Sequence, residues 1–166
     1  MNALIRLKPA NLSDVETIAN LARTIWHAHY PPIIGLEQVN FMLEKMYHPT
    51  VLAQHISNGP QAFFMIQCAD ETVGFIALET KDEGELFLQK LYVLPDKHRK
   101  GLGTSALTSA LAHFPLAQVM RLQVNRQNFT AINFYFKQGF TIERVADFDI
   151  GDGYFMNDFV MWKHLV

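Results

Sequence analysis

The sequence predicts a mixed α/β protein of the α+β kind: a twisted, mostly antiparallel sheet with a central parallel β-α-β unit and helices on both faces. Three observations predict it. Apolar runs rich in β-branched and aromatic residues alternate with amphipathic segments along all 166 residues, with no linker or low-complexity stretch between them. Between residues 62 and 94 three such runs are joined only by Ala69–Glu71 and Lys81–Gly84, turns short enough for an antiparallel meander. Around Leu102–Phe114, in contrast, a strand, a polar loop, a helix and another strand follow one another, the pattern of a parallel crossover.

In chain order, Leu4–Leu7 reads as a short first strand before Pro9. Ser13 and Glu16 have capping-box spacing and open a helix expected to reach Tyr30, with Ile18, Leu21, Ala22 and Ile25 on its buried face. Pro31-Pro32 breaks that helix. A second helix is expected over Leu36–Tyr47 and a shorter one over Thr50–Ser57, before the turn-forming Asn58-Gly59-Pro60. The meander strands are Ala62–Cys68, Thr72–Thr80 and Glu85–Leu94. After the Leu102–Phe114 helix come a strand over Val119–Val124 and a helix over Thr130–Gln138, with Gly139 well suited to its C′ position. Two last strands, Phe140–Phe148 and Tyr154–Lys163, flank the turn-rich Asp149–Gly153.

Composition bounds the class. The length suits one domain, residues 1–166, with a sizeable core. A hydrophobic fraction of 49% and a charged fraction of 18% describe a globular chain rather than a disordered one. The net charge of −2 argues against a general nucleic-acid binder. Cys68 is the only cysteine, so neither an intramolecular disulfide framework nor a cysteine-based metal cluster is expected, which fits a reducing cytoplasm. No apolar stretch is long enough to cross a bilayer, and the N-terminal residues lack a signal-peptide core. The seven histidines are scattered and form no metal-ligand pattern.

Two segments carry chemistry. In QKLYVLPDKHRKGLG, Gln89 to Gly103, a strand ends at Pro95, a basic loop turns, and a helix begins at the glycines. Unpaired N–H groups and partial positive charge at a helix N-terminus suit a phosphate. Gly101 and Gly103 permit close approach to the backbone, and Lys97, Arg99 and Lys100 add positive potential. Taken alone, the Gly-x-Gly is more readily an ordinary strand-to-helix turn. In the second segment, Leu122 to Phe140, a strand again runs into a polar loop and a helix. Asn125 stands at the strand's end, Asn128 can cap the helix, and Ala131, Phe134 and Tyr135 share one helical side. Phe134 is read as core; Tyr135 carries a phenol that needs a polar partner when buried.

Together, the Gly-x-Gly loop and the pattern N-x-x-N-x-x-A-x-x-F-Y-x-x-x-G-F beginning at Asn125 resemble the GNAT superfamily of acyl-CoA-dependent N-acetyltransferases. The match covers about Leu86–Phe140, and the element order extends it along the chain. The resemblance implies acetyl-CoA as co-substrate, with no metal. It implies that His98, Arg99, Lys100, Gly101, Leu102, Gly103 and Thr104 hold the pyrophosphate. It further implies that Leu91, Tyr92 and Val93 pair their backbone with the pantetheine arm, that Asn125 and Asn128 lie at the cofactor, and that Tyr135 sits near the sulfur.

His98 departs from the family pattern, which has Gln or Arg three residues before the first glycine. Many relatives carry a glutamate base where this chain has Gln89 or Gln123, and a neutral amide cannot accept a proton at useful pH. An alkyl amine is mostly ammonium near neutral pH, so it must lose a proton before attacking the thioester. A backbone N–H around Leu91–Val93 is the expected oxyanion donor, and Tyr135 the general acid for the leaving thiolate. A different residue, a water chain, or an amine that arrives already neutral then remains; Glu79, Glu85, His27 and His29 are the candidate residues, none of them singled out.

In this superfamily the region between the first two helices and the last hairpin wall the acceptor pocket. Trp26, Tyr30 and Phe41 would supply apolar walls, and Glu37, Asp149, Asp152 and Asp158 would attract a cation. The C-terminal FDIGDGYFMNDFVMWKHL is similar to bacterial polyamine acetyltransferases, which points to a small polyamine-like amine as partner. The alternatives are a protein N-terminus or lysine as acceptor, or a non-catalytic acyl-CoA sensor. The final strand is read either as a homodimer interface or as an inner strand.

Overall fold

The computed structural model describes residues 4–82, 84–98 and 100–165. Arg99, one of the residues expected at the pyrophosphate, lies outside them. Seven strands form one sheet in the order β1-β2-β3-β4-β5-β7-β6. They are β1 Ile5–Pro9, β2 Gln61–Cys68, β3 Glu71–Thr80, β4 Glu85–Val93, β5 Val119–Asn125, β6 Thr141–Gly151 and β7 Tyr154–His164. Every pairing is antiparallel except β4 with β5. The helices are α1 Val15–His29, α2 Pro31–Ile34, α3 Leu36–Tyr47, α4 Pro49–Asn58, α5 Leu102–Leu111 and α6 Phe129–Lys137.

The local signals account for most boundaries and correct one expectation. The capping box lies earlier than Ser13/Glu16: the Asn11 side chain accepts from the Ser13 N–H while Asp14 accepts from the Asn11 N–H, and a 3-10 turn over Leu12–Asp14 leads into α1. Pro31-Pro32 ends α1 at His29 as expected, and because proline fits the first turn of a helix the same pair opens the short α2. The last hairpin turns on Asp152-Gly153 alone, both at positive φ, which suits the twist of two long antiparallel strands.

Each face of the sheet has its own core. Leu102, Ala106, Leu107 and Ala110 of α5 and Ile132 of α6 pack with Leu86, Leu88, Met120 and Leu122 on one face. Ile18, Ala22, Ile25 and Trp26 of α1, with Val39, Met42 and Leu52, pack with Phe63, Met65 and Phe75 on the other. Each such fully buried Ile or Leu contributes roughly 1.5–3 kcal/mol.

β4 carries a bulge. Ala77 of β3 pairs with Lys90 and Leu78 with Leu88, so Gln89 has no opposite residue. One extra residue switches the alternation of side chains. Leu86 and Leu88 face the α5 core, as do Leu91 and Val93, whereas Lys90 and Tyr92 face the α1 side. Lys90 is thereby buried, its Nζ donating to Gln61 Oε1 at 3.1 Å, and burial lowers its ammonium pKa to about 8 against the opposing pull of Glu79.

Gly74 allows β3 to approach β4 just after the bulge. A Cβ there would lie 2.1 Å from the Tyr92 carbonyl oxygen, which is backbone and cannot swing away. Gly74→Ala is expected to cost about 1–3 kcal/mol, and a thermal melt showing an unchanged Tm would disprove this.

Candidate active site

The sheet opens where the two chemistry-bearing segments meet. β4 and β5 pair only from Glu85↔Val119 to Leu88↔Leu122. Beyond that, β5 continues against β7 alone, through Gln123↔Val160 to Asn125↔Asp158, and β4 continues against β3 alone. Among the described residues no strand pairs with the β5-facing edge of Gln89–Val93. Buried backbone groups need partners, so this gap offers an extended ligand the place of a strand. Leu91, Tyr92 and Val93 lie along it. Two surface cavities lie elsewhere. One of about 450 Å³ is lined by Arg23, His27, Asn40 and His48, and one of about 260 Å³ by Glu85, His113, Phe114 and Leu116.

At the C-terminal end of β4, His98 Nε2 donates to the Val93 carbonyl at 2.8 Å and folds the basic loop back onto the strand. Lys97 is drawn away from the loop by Glu71, at 2.9 Å. Gly101 has φ +74, and among the described residues a Cβ there would meet nothing within 4 Å and no side chain caps the first N–H groups of α5. Leu102 anchors the same turn in the core, and Lys100 is exposed beside it. This open, uncapped N-terminus fits a pyrophosphate. Gly103 has a different use: a Cβ there would sit 3.2 Å from the Phe134 ring, so its missing side chain admits α6 rather than a ligand. Thr104 Oγ1 accepts from Gln138 Nε2 at 2.9 Å. The two sequence motifs are therefore in direct contact.

Across the gap, Asn125 Oδ1 accepts from the Gln127 N–H at 2.8 Å and shapes the loop into α6. Asn128 is buried and fully engaged. Its Oδ1 accepts from the Ala131 N–H at 3.3 Å and from His29 Nε2 at 2.9 Å, and its Nδ2 donates to the Tyr30 hydroxyl at 3.3 Å. That pattern places the proton of a neutral His29 on Nε2. The Tyr30 hydroxyl also interacts with that of Tyr92, and burial raises the pKa of both phenols. Trp26 lies beneath them, 4.5 Å from Tyr30 and 5.9 Å from Tyr92 between ring centroids, and supports the wall from within. Tyr135 packs between Phe134 and Phe140, and burial raises its phenol pKa too. Among the described residues its hydroxyl has no hydrogen-bond partner.

The four candidate bases are occupied. Glu79 accepts from Gln89 Nε2 at 2.6 Å and pairs with Lys81 at 2.9 Å, so it orients Gln89. Glu85 pairs with Arg121 at 3.1 Å, on the part of β4 that is still paired with β5. His27 is exposed and bonded to Asn40, and His29 is tied to Asn128. The acidic group assembled from the sequence also separates. Asp149 and Asp152 lie exposed at the hairpin tip, Glu37 is exposed on α3, and Asp158 alone is buried. Sequence reasoning treated Asp158 only as a cation attractor. The signal available was its inward parity with Met156 and Val160 on β7.

The last hairpin is fastened to α3. Gln38 Nε2 donates to the Phe155 carbonyl at 2.8 Å, Lys45 Nζ donates to the Ile150 carbonyl, and the rings of Phe41 and Tyr154 lie 5.0 Å apart. β7 is an inner strand between β5 and β6, the second of its two sequence readings.

The model of the acetyltransferase (GNAT) family matches residues 21–140. A spermidine N(1)-acetyltransferase of Thermoplasma acidophilum is 29% identical, over 96% of each chain. An uncharacterized N-acetyltransferase of Mycobacterium tuberculosis strain H37Rv is 27% identical over 93% of this chain and all of its own length. Among solved structures, the PaiA N-acetyltransferase from Thermoplasma acidophilum in complex with coenzyme A superposes with a TM-score of 0.81 at 27% identity. That match covers 97% of this chain and 99% of the other.

Proposed function

Because the chain belongs to the acetyltransferase (GNAT) family and is an acetyl-CoA-dependent N-acetyltransferase, we propose that residues 1–166 act as one unit that acetylates a primary amine of a small, polyamine-like molecule by direct attack in a ternary complex. The observation that carries the choice of acceptor is the fastening of α3 to the last hairpin through Gln38, Lys45 and Phe41. A protein terminus or lysine needs an open groove between these elements, and here three contacts span it. The spermidine N(1)-acetyltransferase relative supports the same class of amine.

In this reading the α5 N-terminus and Lys100 hold the pyrophosphate, with Arg99 as a further cation in the sequence. The free edge of Leu91–Val93 holds the pantetheine arm and gives an N–H to the developing oxyanion. Acetyl-CoA supplies an activated thioester carbonyl. Tyr135 gives its proton to the departing sulfur. Asn125 and Asn128 act by shaping the wall beside the donor, since their side chains are already bonded within the protein. An exposed outer strand, β6, with Ile142 and Val145 at its surface, supports a homodimer. The single cysteine, Cys68, supports a cytoplasmic setting.

Thiol release measured with spermidine, short diamines, monoamines and a peptide panel tests the acceptor. Turnover of small amines with kcat/KM at least ~10-fold above any peptide is expected, a margin of about 1.4 kcal/mol. A peptide that outcompetes spermidine would move the function to protein acetylation. Tight acetyl-CoA binding with no turnover on any amine would support a sensor.

A further inference from the structure

We propose that Asp158 is the general base of the reaction, taking the proton from the acceptor's ammonium group directly or through one water. This rests on the amine-acetylating function above. Asp158 lies on β7 directly beside Asn125 of β5, the strand that forms one wall of the sheet gap, and only 4% of its surface is exposed. Among the described residues its carboxylate receives no hydrogen bond. The nearby guanidinium of Arg126 is committed elsewhere, at 2.9 Å to Asp147 and to the backbone carbonyls of Ala146 and Asp158. A buried carboxylate without donors is unfavourable in a resting protein, and it is suited to a cationic visitor.

The charge surroundings agree. Burial raises the carboxyl pKa to about 6, with Arg126 lowering it and Asp147 raising it in smaller measure. Asp158 shares its β7 face with Met156, which packs in the α1-side core that Tyr30 also joins, and its charge adds in small measure to the raised Tyr30 pKa. At neutral pH the group is therefore mostly ionised, yet basic enough to take a proton. The other acids and histidines near the gap are occupied by Gln89, Lys81, Arg121, Asn40 or Asn128.

The proton balance closes. Asp158 takes one proton from R–NH₃⁺, and the freed lone pair forms the C–N bond to the thioester carbonyl carbon. As the C–S bond breaks, Tyr135 gives its proton to sulfur and recovers one from the new amide nitrogen. Asp158 then releases its proton to solvent.

The test is the pH profile of kcat/KM for Asp158→Asn and Asp158→Glu beside the wild type. With an alkyl amine, the wild type should level off above about pH 6, where the base is ionised, until the amine itself titrates. Asp158→Asn should lose about 10²–10⁴-fold at pH 7. Its rate should rise about tenfold per pH unit, because only the neutral amine then reacts. Asp158→Glu should restore a levelled profile, and a weakly basic amine should shrink the defect.

A separate reading comes from stability. A carboxyl whose folded pKa lies above its unfolded value costs stability as pH rises through the interval from about 4 to 6. Asp158→Asn should therefore melt higher than wild type at pH 8 and alike at pH 4, whereas a structural role predicts a lower Tm. A levelled profile in Asp158→Asn would overturn the assignment. So would a defect confined to KM for diamines, which would make Asp158 an ammonium anchor. Absence of turnover by the wild type would instead overturn the acetyltransferase reading of the acceptor.

Discussion

Tyr135→Phe is expected to lower kcat by about 10²–10³-fold, with little change in KM for acetyl-CoA. The substitution keeps the ring between Phe134 and Phe140, so packing and stability should persist. Because the hydroxyl has no hydrogen-bond partner among the described residues, its removal strands no buried donor or acceptor. Burial raises the phenol above its ordinary value near 10, so Tyr135 stays protonated at any pH suitable for assay. The ratio of wild-type to variant kcat should accordingly be flat from about pH 6 to 9. Transfer to an ordinary alkyl thiolate is uphill for so weak an acid, but the same dry surroundings raise the thiolate's own affinity for a proton. A ratio that varies with pH, or a variant with full activity, would remove Tyr135 from the chemistry.

Gly101→Asp is expected to raise KM for acetyl-CoA by about 10- to 100-fold, the loss of one charge-assisted hydrogen bond at roughly 1.5–3 kcal/mol. The aspartate would cap the free N–H groups of α5 and place a negative charge where the pyrophosphate is proposed to lie. Asp is among the side chains that tolerate positive φ, at a cost of about 1–2 kcal/mol, while the new cap contributes about 1 kcal/mol. The Tm should therefore move little while donor binding collapses. Titration of coenzyme A by calorimetry separates the two effects. Unchanged affinity would place the pyrophosphate away from the α5 N-terminus.

Much of this arrangement was legible in the sequence for definite reasons. The Asn125–Phe140 pattern and the glycines at 101 and 103 mark two strand-to-helix turns, and the structure brings those turns together through Phe134 against Gly103 and Gln138 on Thr104. Hairpin turn residues and helical periodicity located the elements to within a few residues. The bulge at Gln89 was not visible, because an extra residue in one strand shows only against its partner's register. For the same reason the burial of Lys90 could not be read from the sequence. Asp158 was hidden differently. Its neighbourhood is assembled from α1, β5, β6 and β7, and no window of sequence contains all four.

The gap between β4 and β5 has a consequence for the lifetime of the protein. Among the described residues, four residue pairs are the whole of the strand pairing between the β1–β4 half and the β5–β7–β6 half. A donor lying in that gap joins the halves as a missing strand does, so folding and donor concentration are thermodynamically linked. Each tenfold excess of donor over its Kd adds about 1.4 kcal/mol to stability. Under the proposed donor placement, limited proteolysis is expected to slow as acetyl-CoA concentration rises through its Kd.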